Sequence, residues 1–411
     1  MGIYATNGVP KLPERPLETS EGEGVGLKAG NEMRLLEKIV VQGYKSIRNQ
    51  ELSLGPVNVL IGANGSGKSN FIGLFRMLNR LVSGDFQIYV RQAGGPDRLL
   101  YYGRKTTNAL SLELWFKHTE RQTRNGYMCE LFPTEDQKLV FAREEILFHK
   151  FAEYEAPVSN RWSSGVHEES LLPEWASEGK VGEYIYKDLQ SFRVYHFHDT
   201  SDSAKVKQFC DLSDNRFLRA DASNLAAFLY RLKRQYNSHY QDIVRAIRSV
   251  APFFGDFTLE PDSFNPDQIR LEWYERGSDT LFDAHALSDG TLRFICFATL
   301  FLQPDALLPA IIILDEPELG LHPAAITVLS QLIHSASMRV QVLLATQSVT
   351  LVNQFTPEQI IVVERQEHRT GSLSPGQESV FHRIASEQLT QWLQEYELGT
   401  LWEKNLLGGR P

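Results

Sequence analysis

Apolar and polar residues fall into blocks that partition the chain. Residues 36–43 and 51–54 read as strands, and the apolar run at 57–61 reads as a strand buried on both faces. A Gly/Ser loop follows. Beyond it Phe71, Leu74, Phe75, Leu78 and Leu81 recur at helical spacing, which predicts a helix over 70–82. From 87 to 148 short alternating stretches, such as 110–117 and 138–142, predict antiparallel strands. Pro157, Gly165, Pro173 and Gly179 mark 155–182 as a long loop. Helical periodicity returns over 223–250, in two helices, and strands are expected at 257–259 and 269–274. Past Ser288 helix and strand alternate. Strands are expected at 310–314, 340–345 and 359–364, with helices at 292–302 and 387–397. Runs such as Ala310-Ile311-Ile312-Ile313-Leu314 suit a mostly parallel sheet covered on both sides. Residues 1–32, rich in Gly, Pro and Glu without periodicity, read as a flexible leader.

Composition narrows the class. With 411 residues, 42% of them hydrophobic and 23% charged, the chain reads as a soluble globular protein with ample core. Its net charge of −9 argues against a coat for bulk nucleic acid, although a local basic patch could touch phosphate. Cys129, Cys210 and Cys296 are widely spaced, form no CxxC pair and suit a reducing cytosol. The longest apolar runs are far short of the roughly 20 residues that span a bilayer. A cytoplasmic protein without membrane contact is therefore expected.

The chemistry sits in two motifs. Gly62-Ala63-Asn64-Gly65-Ser66-Gly67-Lys68-Ser69 fits GxxxxGK[ST] between a buried-strand pattern and a helical one. Glycines there let successive backbone N–H groups converge on phosphate oxygens, and the helix N-terminus adds a favourable dipole. Lys68 would bring charge to the β- and γ-phosphates, and the Ser69 hydroxyl would ligate Mg2+. Gly62 through Ser69, with Asn70 at the head of the helix, are the candidates for holding ATP. The apolar run 311–314 delivers Asp315 to the carboxyl end of a buried strand, where ligands sit in open α/β sheets. Asp315 is expected to hold Mg2+ through water, and Glu316 to act as general base. Ser288-Asp289, ahead of the 292–302 helix, reads as an N-cap with a first-turn acid.

In order along the chain, GANGSGKS, LSDGT, ILDEPELGLHP and LATQS resemble the motifs of ABC-type ATPases of the RecF/SMC group. The resemblance is closer still to bacterial AAA-family ATPases that share this head and occur in antiphage defence systems, over 36–98 and 221–365. It implies an α/β P-loop NTPase head, a mixed sheet with an N-terminal β lobe, a C-terminal parallel-sheet lobe and an inserted β/α region. The corresponding division is a leader (1–32), a lobe with the phosphate loop (33–98), the insertion (99–285), a lobe with signature, acids and switch (286–365) and a tail with a helix (366–411).

The resemblance also implies site roles. Ser288 and Gly290 would contact the γ-phosphate held by another subunit, making a homodimer with two composite sites. Gly320-Leu321-His322-Pro323 resembles the loop that crosses such a seam. Gln92 stands where a metal-contacting glutamine is expected. Gln347 occupies the place where many ABC proteins carry a switch histidine. A glutamine can hydrogen-bond γ-phosphate or water but cannot carry a proton, which implies slow or partner-dependent ATP hydrolysis. Tyr44 is either an aromatic facing adenine or packing of the first sheet. Only 46 residues follow Arg365, too few for the nuclease domain fused in overcoming-lysogenisation-type ATPases. A separately encoded effector such as a nuclease is therefore expected. A RecF-like DNA-binding repair clamp and a nucleotide-dependent scaffold with little turnover are the alternatives.

Two further clusters stand out. His196 and His198 would share one face of a strand, as a metal pair without a third ligand or as structural histidines. Arg231, Lys233, Arg234, Arg245 and Arg248 make a basic helical stretch, either a solvated face or a phosphate contact.

Overall fold

The computed structural model describes residues 34–118, 122–163, 165–368, 376–384, 389 and 392–409. The expected leader lies outside them. The fold is mixed α/β, on two six-stranded sheets. The first is antiparallel throughout, in the order β2-β1-β4-β5-β6-β7. Its strands are β1 (Arg34–Tyr44), β2 (Ile47–Ser53), β4 (Leu110–His118), β5 (Thr123–Pro133), β6 (Leu139–Lys150) and β7 (Val158–Ser163). The second runs β17-β16-β3-β15-β14-β8. It comprises β3 (Val57–Ile61), β8 (Arg193–Tyr195), β14 (Ile311–Asp315), β15 (Gln341–Thr346), β16 (Ile360–His368) and β17 (Gly376–Arg383). All its pairings are parallel except that of β17 with β16.

Both faces of the second sheet are covered, which is why its strands read as continuous apolar runs. Val59, Ile61, Ile312, Leu314, Val342 and Leu344 face one core, shared with helices α6 (Leu225–Gln235), α7 (Asn237–Val250), α8 (Asp289–Leu302) and α9 (Pro323–Ser337). Leu60, Ile311, Ile313, Leu343 and Ala345 face the other, filled by α1 (Lys68–Val82) and the inner side of the antiparallel sheet. Phe71, Leu74, Phe75, Leu78 and Leu81 are buried there, as their spacing predicts. Gln341 stitches the sheets together: its side chain exchanges two 3.0 Å hydrogen bonds with the Leu36 backbone and donates to the Gly55 carbonyl. Smaller pieces complete the chain: a three-stranded sheet of β10 (Phe254–Thr258), β12 (Glu272–Glu275) and β13 (Leu281–Asp283), and a ladder of β9 (Cys210–Asp211) with β11 (Gln268–Ile269). No helix among the described residues is long and apolar enough to cross a membrane.

Several expected strands and loops come out otherwise. Residues 86–99 form two short helices, α2 (Phe86–Gln92) and α3 (Pro96–Leu99), instead of strand. Phe86 and Val90 are one helical turn apart and both buried, and Pro96 starts α3 at the position that tolerates it. The expected loop at 155–182 contains β7, α4 (Leu172–Glu178) and the start of α5 (Lys180–Ser191), because Leu172 and Trp175 are drawn into the core. Of the expected closing helix at 387–397, residues 392–397 are described and are not α-helical. Trp392–Gln394 makes a single 3-10 turn, before a short helix at Leu398–Glu403.

Inside the antiparallel lobe one carboxylate is fully buried. Glu144 accepts from the Tyr127 hydroxyl (2.6 Å), the Leu171 amide (2.8 Å), His167 Nε2 (3.0 Å) and the Ser170 hydroxyl. It thereby fastens the segment before α4 to β6. The Glu144 hydrogen bond raises the His167 pKa, against the opposing effect of burial. Glu144→Ala is expected to lower stability by about 3 kcal/mol in urea denaturation, since it strands several buried donors. A raised His167 pKa contributes stability that is fully present below its ordinary value of 6.5 and is lost as pH rises through the raised one. Denaturation measured across that window should show the loss in the native chain and not in the variant.

Candidate functional site

β3 is wholly buried and ends at Ile61, where the Gly-rich loop begins. Gly62 and Gly67 have φ of 156° and 121°, and a Cβ at either would strike the Val363 carbonyl or the Ser379 side chain. The turn therefore keeps its backbone close-packed and leads straight into α1. Lys68, only 5% exposed, donates from Nζ to the Gly62 (2.6 Å) and Ala63 (3.0 Å) carbonyls. Burial lowers its pKa, opposed by Glu316, Asp315 and Glu318. Ser66 is buried with its hydroxyl unpaired among the described residues. Ser69 is exposed at the first turn of α1, and Asn70 donates to the Ser46 hydroxyl at 2.8 Å.

The parallel register sets the acids beside this loop. Ile61 lies opposite Thr346, and Asp315 opposite Ala345, so β3, β14 and β15 end nearly level. Burial raises the Asp315 pKa and the neighbouring Glu316 adds to it, while His198, Arg76 and Lys68 oppose. Glu316 adopts a left-handed φ of 47°, fixed by its amide donating to the Ala345 carbonyl at 2.8 Å. Such a conformation costs a non-glycine residue about 1–3 kcal/mol. Gln347 follows β15 and closes the arrangement. Its Nε2 donates to Asn64 Oδ1 (2.7 Å) and to Glu316 Oε1 (2.6 Å).

The remaining expected residues lie elsewhere. Ser288 caps α8, accepting from the Thr291 amide at 3.2 Å, and is exposed. Gly290 packs so close to the Gly320 carbonyl that a Cβ would not fit. Among the described residues no hydrogen bond joins Ser288 or Gly290 to residues 62–70. Gln92 ends α2 as an exposed residue and is not gathered at the acids. Glu169 binds the Phe86 and Gln87 amides and Gln87 binds the Leu139 carbonyl, so α2 sits against the antiparallel lobe. Tyr44 is fully buried in the core beneath α1, which settles it as packing and removes it as an adenine contact.

Residues that sequence reasoning did not place here do reach the site. His198, just beyond β8, donates from Nε2 to the Asp315 carbonyl at 2.8 Å. Its neighbour His196 is pushed down to about 4 by burial, then by Arg76 and His198. Among the described residues no group of three or more His, Cys, Asp or Glu could hold a metal ion by itself. Glu318 accepts from the Thr346 hydroxyl (2.5 Å) and the Gln347 amide (3.2 Å), and burial raises its pKa. Arg293 on α8 donates to the Leu319 (2.6 Å) and His198 (2.7 Å) carbonyls, tying the Ser288 helix to both acid-side loops. Arg365 Nε holds the Gly65 carbonyl at 2.9 Å. The motif Glu316-Pro317-Glu318 was a local signal for Glu318; the other contacts bridge distant segments. The basic stretch makes contacts within the chain, while Arg234 and Arg245 remain exposed. Arg231, Lys233 and Arg248 bind the carbonyls of Asn215, Phe257 and Gly255, Arg245 pairs with Asp242, and Arg234 binds the Tyr230 hydroxyl.

Comparison with known proteins agrees with this architecture. An SMC head bound to the C-terminal winged-helix domain of ScpA superposes with a TM-score of 0.55 at 14% identity, covering 86% of this chain and 99% of that one. The SMC head with an extended coiled coil derived from Pyrococcus furiosus, bound to the C-terminal domain of ScpA, gives 0.52 at 15% identity, covering 88% and 99%. These likenesses concern the fold. Among curated proteins, urease accessory protein 2 of Cryptococcus neoformans var. grubii is 29% identical over 184 residues, 43% of this chain. The match spans only 13% of that relative's length. The family described as "AAA domain, putative AbiEii toxin, Type IV TA system" matches residues 57–353, from the first residue of β3 to just past α10 (Val349–Val352). With the match covering most of the chain, and the phosphate loop, acids and Gln347 all inside it, the protein belongs to this family of AAA P-loop ATPases related in fold to SMC heads.

Proposed function

We propose that the chain binds ATP with Mg2+ in the 62–70 cradle and hydrolyses it as one half of a homodimer. The observation that carries this reading is the Gln347 amide, which bridges Asn64 of the phosphate loop and Glu316 of the acid pair. The donor set suits such a ligand. Lys68 spends its protons on two carbonyls that phosphate oxygens could replace. Burial, and after it the neighbouring Glu316, raises the Asp315 pKa, so the acid pair favours a cation beside it. Ser69 and Asp315 would hold the magnesium ion, which supplies charge neutralisation for the phosphates.

The protein's own groups then divide the work. Backbone amides of the loop and Lys68 orient the phosphates. Glu316 takes the proton of the attacking water as its oxygen bonds to the γ-phosphorus and the bond to ADP breaks. Gln347 orients rather than relays, because an amide holds no extra proton at neutral pH. Its hydrogen bond to Glu316 must loosen before that carboxylate can act, which makes turnover slow or dependent on a partner. One chain covers its phosphates from one side, so water screens the developing charge until a second copy closes. The exposed Ser288 and the half-buried Gly290, at the N-terminus of α8, supply that closing surface. Closure and reopening would then switch a separately encoded effector, a nuclease in the reading we favour, in antiphage defence. Affinity capture from the native host followed by mass spectrometry is expected to return that effector, and more of it with ATP present.

Two substitutions test the core of this reading. Glu316→Gln should bind ATP within about threefold of the native chain and lose at least ~100-fold in phosphate release. It should also accumulate dimer in light scattering. Native turnover in this variant would remove Glu316 as the base. Ser288→Arg should keep ATP binding as a monomer while multiple-turnover phosphate release disappears. Unchanged release would rule out the composite site.

A further inference from the structure

Asn64, Gln347 and Glu316 mark where the terminal phosphate would lie. A triphosphate facing them sends its nucleoside out along the other flank, past the first turn of α1. That flank is built from distant segments. Ser46 Oγ accepts from Asn70 Nδ2 at 2.8 Å, and the Ser379 hydroxyl lies within hydrogen-bonding distance of both Ser46 Oγ (2.8 Å) and the Ser66 carbonyl (2.5 Å), its one proton serving either. The segment after α3 is laid against the end of β1: the Lys45 amide donates to the Leu99 carbonyl (2.8 Å) and the Tyr101 amide to the Gly43 carbonyl (3.0 Å).

Tyr102 follows, in a left-handed conformation with φ of 53° and 57% exposed. Its hydroxyl accepts from the Gln377 amide (2.9 Å) and donates to the Gln377 carbonyl (3.2 Å). Arg365 reaches from that same carbonyl (3.4 Å) to the Gly65 carbonyl of the phosphate loop (2.9 Å). A large ring is thus displayed to solvent in a costly backbone conformation and pinned at its far end. The same latch ties it to the phosphate loop. Tyr44, the aromatic that sequence suggested for a base contact, is buried and cannot serve.

We propose that the Tyr102 ring is the platform on which the base of the bound nucleotide stacks, an inference that rests on the phosphate-loop reading above. Stacking uses the π-face that every base carries, so ATP and GTP should bind within about tenfold of each other.

Equilibrium binding of ATP to the full chain tests this. Tyr102→Ala should weaken binding about tenfold, and Tyr102→Phe, which keeps the ring, should stay within about twofold. Native affinity in Tyr102→Ala overturns the platform. So does a loss in Tyr102→Phe as large as in Tyr102→Ala, which would assign the effect to the Gln377 latch. If Tyr102→Ala fails to fold, the native chain still decides. Photolabelling with 8-azido-ATP is expected on residues 99–103, and labelling confined elsewhere overturns the proposal. Lys68→Ala separates the two levels of the argument. Normal ATP binding in that variant means the phosphate loop itself is misassigned, and the platform falls with it. Loss of binding there, with native affinity in Tyr102→Ala, removes the platform alone.

Discussion

One buried ammonium, Lys68, faces the carboxylates of Glu316, Asp315 and Glu318 across the mouth of the Gly-rich loop. Left to themselves, three carboxylates at this range repel, and burial penalises each charge. The protein answers with hydrogen-bond donors. Gln347 gives its amide to Glu316, Thr346 and the Gln347 backbone serve Glu318, and His198 takes the Asp315 carbonyl. Those bonds hold the acids in place without cancelling their charge, which leaves the site demanding cations.

The charges can be gathered because the parallel sheet brings its strand ends level. β3 lies between β15 and β16, and β14 lies beyond β15, so three loops open on one edge. The antiparallel lobe contributes from outside that sheet. Gln341 ties it to the base of β15, and Ser46 ties it to Asn70 and Ser379 near the phosphate loop. Displacement of α1 at its N-terminus is therefore felt on both sheets.

Sequence patterning reached some of this and missed some for identifiable reasons. The 57–82 block was legible because strand, loop and helix are contiguous and each has its own period. Asp315 and Glu316 were legible because an apolar run delivers them. His198 was not, because its contact with Asp315 spans 117 residues and depends on β8 joining β14 in parallel. The Ser46–Ser379 contact spans 333 residues and leaves no local trace. Helices α2 and α3 were missed because a few apolar residues over so short a stretch fit either period, and burial against the antiparallel lobe decided between them. Tyr44 was ambiguous until the position of α1 was known.

The placement of β3 has a consequence for how the polypeptide is made. This strand ends at Ile61, yet both neighbours that flank it, β15 and β16, begin far later along the chain, at Gln341 and Ile360. Until those segments are made, its apolar residues Val57, Val59, Leu60 and Ile61 have no sheet to enter. Closure must wait for the segments that form β15 and β16, so the nascent protein carries an aggregation hazard that its finished form conceals, and chaperone capture during translation is the natural remedy.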